Sequence, residues 1–230
     1  MIKYPLQADN IQKIYNGKTV VDLSLKLNKA EVLGLIGRNG SGKSTTLNIL
    51  AGVIHPDKGT VYINNQADIA KNFKLKQNLA YLPEEREEIE NLTVGEYLNY
   101  IAQVYKKEKT EITGILTKVD AEHTFNQKFS ELSKGYQQRI LFASVLLADT
   151  PIMILDEMTD GLDPVQRKEF YSIINKIKHE KSIIISSHNM QEIKQICDRI
   201  CIIDEGKIVK QLNNEDFEDF SDILDLNIKG

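Results

Sequence analysis

EVLGLIGRNGSGKSTTLNILAG, residues 31–52, carries the reading that decides the fold. Val32 to Ile36 is a short apolar run, long enough for a strand buried on both faces. A glycine-rich turn follows at Gly37, Gly40 and Gly42, and a helical pattern then turns Leu47, Ile49 and Leu50 inward. Inside the stretch lies G-x-x-x-x-G-K-[ST], filled by Gly37, Gly42, Lys43 and Ser44, which is the phosphate-binding loop (Walker A) pattern. With glycine at about 7% of residues, a chain of this length meets that pattern by chance about 1% of the time, so the match is specific. The bland alternative is a glycine-rich turn that binds nothing.

The spacing has a physical reason. Glycines leave successive backbone N–H groups bare and let the chain wrap close to phosphate oxygens. The following helix adds unpaired N–H groups and the positive end of its dipole. Lys43 contributes a full charge over the β- and γ-phosphates, and the Ser44 hydroxyl can reach Mg²⁺. The segment Gly37, Arg38, Asn39, Gly40, Ser41, Gly42, Lys43, Ser44 and Thr45 is therefore expected to bind a nucleoside triphosphate.

Composition sets the outer limits. At 230 residues the chain can bury a sizeable core in one large domain or two small ones. A formal net charge of −4 argues against a general nucleic-acid binder, which should show a basic face. No apolar run approaches the ~18–20 residues of a membrane span, and the N-terminal stretch lacks a signal-peptide core. Cys197 and Cys201 have no partners at metal spacing and read as small core residues of a reducing compartment. The expected location is the cytosol, or a membrane surface reached through another protein.

Around the phosphate loop the pattern is α/β. Val21, Leu23, Leu25 and Leu27 alternate with polar residues as a half-exposed antiparallel strand does. Leu6 to Ile14 reads as its partner, with Tyr15 in the loop beside Asn16-Gly17. Thr60 to Ile63 and Leu79 to Leu82 are further strands. From Glu84 a charged run leads to a capping box, Thr93-Val94-Gly95-Glu96. It opens a helix with Tyr97, Leu98, Ile101 and Val104 on one side. Helices are expected over about Glu111 to Val119 and after Ser133, the latter turning Ile140, Leu141, Val145 and Leu146 inward. No strand is expected between Leu82 and Pro151. Strands resume at Ile152 to Leu155 and Ser182 to Ser186, with a helix from Asp163-Pro164 between them. Ile200 to Ile203 and Ile208 to Gln211 flank a hairpin turn, and the acidic tail from Asn214 is a weak helix or frayed end.

Ile152 to Leu155 ends in two carboxylates. In a parallel sheet, ligands gather at the carboxyl ends of strands, so Asp156 would face the phosphate loop and hold Mg²⁺. Glu157 would stand near the γ-phosphate, where it could orient or deprotonate an attacking water.

With Leu132-Ser133-Lys134-Gly135-Tyr136-Gln137-Gln138-Arg139 the chain resembles the nucleotide-binding domain of ATP-binding cassette (ABC) proteins. The stretch is similar to their LSGGQ-like signature, and the likeness covers essentially the whole length. Thr159 to Asp163 resembles the D-loop, and Ser187-His188 resembles the switch histidine. The resemblance implies a RecA-like P-loop NTPase core with a mostly parallel sheet, an N-terminal antiparallel layer and an inserted helical subdomain. That gives one domain over 1–230, with 1–83 and 150–230 as catalytic core and 84–149 as the helical part.

The same resemblance implies an ATPase using ATP and Mg²⁺, with Glu157, Lys43 and His188 catalytic and Ser44, Asp156 and Glu84 at the metal. Tyr15 would stack on adenine. Ser133, Gly135 and Asp163 would reach the nucleotide of a second cassette in a homodimer or paired dimer. The work would pass to a separate transmembrane permease docked near Glu84 to Tyr97, with the chain peripheral at the inner membrane face. Three positions depart from the family pattern. Glu84 stands for a usual glutamine, and Lys134 and Tyr136 replace Gly and Gln in the signature, variants that resemble bacterial efflux ATPases more than importers. The other reading is a soluble, non-transport ABC ATPase that acts as a nucleotide-gated switch.

Overall fold

In the computed structural model, residues 3–67, 69–84, 89–188 and 193–217 are described. Two sheets lie against each other. One is antiparallel, order β2-β1-β4-β5, from β1 (Leu6–Tyr15), β2 (Lys18–Leu27), β4 (Lys58–Ile63) and β5 (Gln66–Ala67). The other has six strands, ordered β10-β9-β3-β8-β7-β6. These are β3 (Val32–Ile36), β6 (Leu79–Leu82), β7 (Ile152–Leu155), β8 (Ser182–Ser187), β9 (Arg199–Asp204) and β10 (Lys207–Asn213). Only β10 runs antiparallel in it. The α-helices described in full are α1 (Lys43–Leu50), α2 (Phe73–Lys76), α3 (Val94–Tyr105), α4 (Lys109–Lys118), α5 (Lys134–Ala148) and α6 (Pro164–Ile177).

The strand patterns explain the layering. In β2, Val21, Leu23, Leu25 and Leu27 are buried while Asp22, Ser24 and Lys26 are not, as period 2 requires. Every residue of β3 is buried. Val32 and Ile36 enter the core beneath the helices, and Leu33 and Leu35 enter the core between the two sheets. Met153 and Leu155 against Ile152 and Ile154 divide β7 in the same way. Helices α3, α4 and α5 share the first of these cores with β3, β6, β7 and β8.

Two details differ from the sequence expectation. Tyr15 does not lie in the turn but closes β1, paired with Lys18, because Asn16 (φ 51°) and Gly17 (φ 78°) alone make the reversal. Two successive positive φ values match the twist of the strands and leave only two loop residues. As expected, one side of α3 faces the core: Leu98 is buried in it, and Tyr97 and Ile101 pack half-buried against it. On α5, Ile140, Leu141 and Val145 are buried in the same core and Leu146 packs half-buried against it. The short helix α2, capped by Asn72, was not anticipated. Between Leu82 and Pro151 the described residues hold one isolated bridge, Thr93 with Lys128, and no strand. The tail forms one 3₁₀ turn at Asn214–Asp216; residues 218–230, and 85–88 of the charged run, lie outside the described residues. No described helix is long and apolar enough to cross a membrane.

Candidate functional site

Sheet order brings the functional segments together. Register pairs Ile36 with Ser187 and Leu82 with Leu155, so β3, β6, β7 and β8 end at one edge. Gly37, Asp156 and His188 follow directly at that edge and Glu84 one residue later, where α/β sheets bind their ligands.

The phosphate loop leaves β3 with Arg38, Asn39 and Gly40 exposed, and Ser44 and Thr45 half-buried. Gly42, at φ 102°, caps α1 and lies so close to the Val20 carbonyl that a β-carbon would stand 2.5 Å from it. The loop is braced from outside the motif. Gly206, in the β9–β10 turn, donates its N–H to the Ser41 carbonyl at 2.8 Å and accepts from the Asp22 N–H at 2.8 Å. A β-carbon on Gly206 (φ 77°) would meet the same Val20 carbonyl at 2.4 Å. Lys43 donates to the carbonyl of Gly37 at 2.8 Å and lies 3.4 Å from Glu157 Oε1.

Asp156 and Glu157 sit one and two residues beyond β7. Asp156 is fully buried; its backbone N–H donates to the Leu82 carbonyl at 2.9 Å. The Ser186 hydroxyl donates to Asp156 Oδ1 at 2.5 Å and accepts the Glu157 N–H at 2.9 Å. Glu157 holds a left-handed backbone, φ 46°, which costs a side-chain-bearing residue energy and clusters at functional sites. Its Oε2 lies 3.0 Å from His188 Nδ1, a ring otherwise more than half exposed. Burial raises the Asp156 pKa, with Glu84 and Glu157 adding to it against the hydroxyls of Ser186 and Ser44.

The residues fit a small, hard cation. Among the described residues Asp156 Oδ2 is buried without a hydrogen-bond partner, and the Ser44 hydroxyl lies 3.5 Å from Glu84 Oε2. Among the described residues no group of three His, Cys, Asp or Glu side chains converges. Mg²⁺ needs none, since it takes one or two carboxylates and fills its octahedron with phosphate oxygens and water.

Ser133 and Gly135 lie elsewhere, at the start of α5. Ser133 caps that helix, accepting the Tyr136 N–H at 3.4 Å. A β-carbon on Gly135 would come within 2.4 Å of the Gln166 amide. Gln166 in turn accepts the Asp163 N–H at 3.2 Å, while Asp163 caps α6 through the N–H groups of Val165 and Gln166 at 2.8 and 2.9 Å. The N-terminus of α5 and the turn before α6 therefore form one packed unit. Lys134 lies across Gly161, and Tyr136 packs edge-on against His123 with the Arg139 guanidinium 5.7 Å from its ring centre. Tyr15 is 46% exposed, with Lys13 Nζ 5.5 Å from its ring centre. The groove expected from Glu84 to Tyr97 includes 85–88, outside the described residues.

Sequence reasoning missed Ser186, Gly206 and Gln166. The paired serines closing the apolar run Ile183-Ile184-Ile185 were a visible signal for the first.

The family profile described as "ABC transporter" matches residues 20–160. An uncharacterised ABC transporter ATP-binding protein of Methanocaldococcus jannaschii is 34% identical over 221 residues, covering 94% of this chain and 80% of that one. The linearmycin resistance ATP-binding protein of Bacillus subtilis is 32% identical over 210 residues, covering 89% and 68%. The chain spans 24% of the length of ABC transporter A family member 11 of Dictyostelium discoideum, with 34% identity across 83% of its own length. A solved ATP-binding subunit of an ABC transporter superposes with TM-score 0.87 at 25% identity, covering 98% and 99% of the two chains. A bacterial ABC transporter cassette solved as a dimer superposes with TM-score 0.84 at 22% identity, covering 91% and 98%.

Proposed function

The chain belongs to the ABC transporter family as an ATP-binding cassette, and from that premise we propose that it hydrolyses ATP to drive a separate membrane permease. The observation that carries the reading is the strand-end cluster in which Glu157, held between Lys43 and His188, stands beside the phosphate loop.

The loop N–H groups, α1 and Lys43 bind the phosphates, and the Tyr15 ring packs on the adenine. Glu157 takes a proton from water as the water oxygen attacks the γ-phosphorus. The bond from that phosphorus to the β–γ bridging oxygen breaks, and ADP departs. His188 Nδ1 fixes the Glu157 carboxylate and puts the ring at the γ-phosphate. Ser44, Asp156 and Glu84 would hold Mg²⁺, which supplies neutralisation of phosphate charge. Ser133, Gly135 and Asp163 complete the site of a second cassette, identical or paired, that closes on ATP. This is preorganised electrostatic stabilisation, built half by each partner.

In this reading residues 84–149 act as the moving signature subdomain, and the chain works at the inner membrane face through its permease. Export is favoured by the likeness to the linearmycin resistance ATP-binding protein of Bacillus subtilis. The test is Glu157→Gln in the full chain. It should bind ATP, accumulate an ATP-dependent dimer on size exclusion and copurify with a multi-span membrane protein when isolated from membranes. Wild-type turnover by that variant would sink the assignment.

A further inference from the structure

We infer that Ser186 is a positioning residue for hydrolysis, its single hydroxyl setting both the Glu157 backbone and the Asp156 carboxylate. The inference rests on the hydrolytic reading above and adds to it a residue outside every motif that supports that reading.

The last β7–β8 pair is Leu155 with Ile185, so Ser186 and Ser187 continue past the end of β7, alongside Asp156 and Glu157. There the Glu157 N–H is buried and has left the ladder. A buried N–H demands an acceptor, and Ser186 Oγ supplies it at 2.9 Å. The same oxygen gives its only hydrogen to Asp156 Oδ1, within a setting where Ser186 and Asp156 are fully buried.

Each bond has a distinct consequence. The first holds Glu157 in its left-handed backbone, from which the side chain meets Lys43 and His188 together. An extended or right-handed backbone at that residue would aim the carboxylate elsewhere. The second assigns Oδ1 of Asp156 to the protein and leaves Oδ2 as the buried oxygen without a partner, the one free to meet a cation. Hydrogen-bonded groups behind metal-binding carboxylates orient them in this way, and their loss typically lowers affinity or activity about 10–100-fold. Ser186 touches neither phosphate nor water in this arrangement. It acts through its two neighbours.

The test compares Ser186→Ala, Ser186→Cys and Ser186→Thr in the full chain. Serine and cysteine have nearly the same shape, but a thiol is a poor donor and acceptor. Alanine and cysteine should lower kcat about 10–100-fold with KM for ATP within about threefold, and threonine should restore most of kcat. In a Glu157→Gln background, where turnover does not interfere, Ser186→Ala should raise about tenfold the Mg²⁺ needed for half-maximal binding of a fluorescent ATP analogue. Affinity measured in EDTA should stay unchanged. Wild-type kcat and Mg²⁺ dependence in Ser186→Ala overturn the inference. So does a joint loss of kcat, EDTA affinity and thermal stability that threonine does not rescue, which is a packing defect. If Glu157→Gln alone turns over like wild type, the hydrolytic reading fails instead.

Discussion

Lys43 Nζ stands 3.4 Å from Glu157 Oε1, and both side chains are more than nine-tenths buried. The phosphate-loop cation and the β7-end carboxylate thus compensate each other across the sheet edge. Removing one charge of a buried pair leaves the other uncompensated, a heavier loss than that of an exposed pair.

Glu157→Gln should therefore lower stability without nucleotide by about 1–3 kcal/mol, which is about 3–9 °C in Tm for a chain of this size. ADP gives Lys43 a phosphate partner. Saturating ADP should raise Tm more in Glu157→Gln than in wild type. Differential scanning fluorimetry reads both shifts, and equal shifts would show that the ion pair carries no stability.

Asp156 behaves oppositely, because no described residue sets a cation beside it. Its folded pKa lies above the unfolded value of 3.8, so the fold binds the proton more tightly than the unfolded chain does. Ionisation then weakens the fold as pH rises above that value and through the raised folded pKa. Asp156→Asn removes the buried charge. It should raise Tm at pH 7.5 by about 2–4 °C, with the difference shrinking as pH falls towards 4, while Mg²⁺-dependent turnover is lost. A lower Tm for the variant at neutral pH would refute the charge-burial account.

Gly135 and Gln166 offer a steric test. A methyl at residue 135 would displace the Gln166 amide, which holds the Asp163 N–H at the start of α6. Gly135→Ala should lower kcat about tenfold or more, an effect of misplacing the signature turn against the D-loop. Adding Gln166→Ala opens the space and should recover part of the loss. Steady-state kcat for the four proteins of the cycle gives the coupling, and simple additivity would place the methyl's effect elsewhere.

Much of this site was legible in the residues themselves. Gly37 to Thr45 announces phosphate binding because bare N–H groups and a lysine at fixed spacing have few other uses. Asp156 and Glu157 were legible because an apolar strand ending in carboxylates points them at a sheet edge. Ser186 was not, since its task exists only once β8 lies beside β7 and overruns it. Gln166 was hidden for a similar reason: nothing in α6 says that a glycine of α5 will rest against it. Tyr15 reads as a loop residue and yet closes β1, because Asn16-Gly17 marks a turn but does not say how few residues the turn takes. Local chemistry is written locally. What the strand order brings together is not.

The Val20 carbonyl fills the space that a β-carbon would need on both Gly42 and Gly206, which makes these two glycines a single steric unit. Mutational tolerance at residue 206 is accordingly as narrow as at residue 42. Any side chain there pushes the same carbonyl and, through the Gly206 N–H, the Ser41 backbone. A hairpin turn near the far end of the chain is thus part of the mould in which the phosphate loop is cast, although no nucleotide-binding pattern includes it.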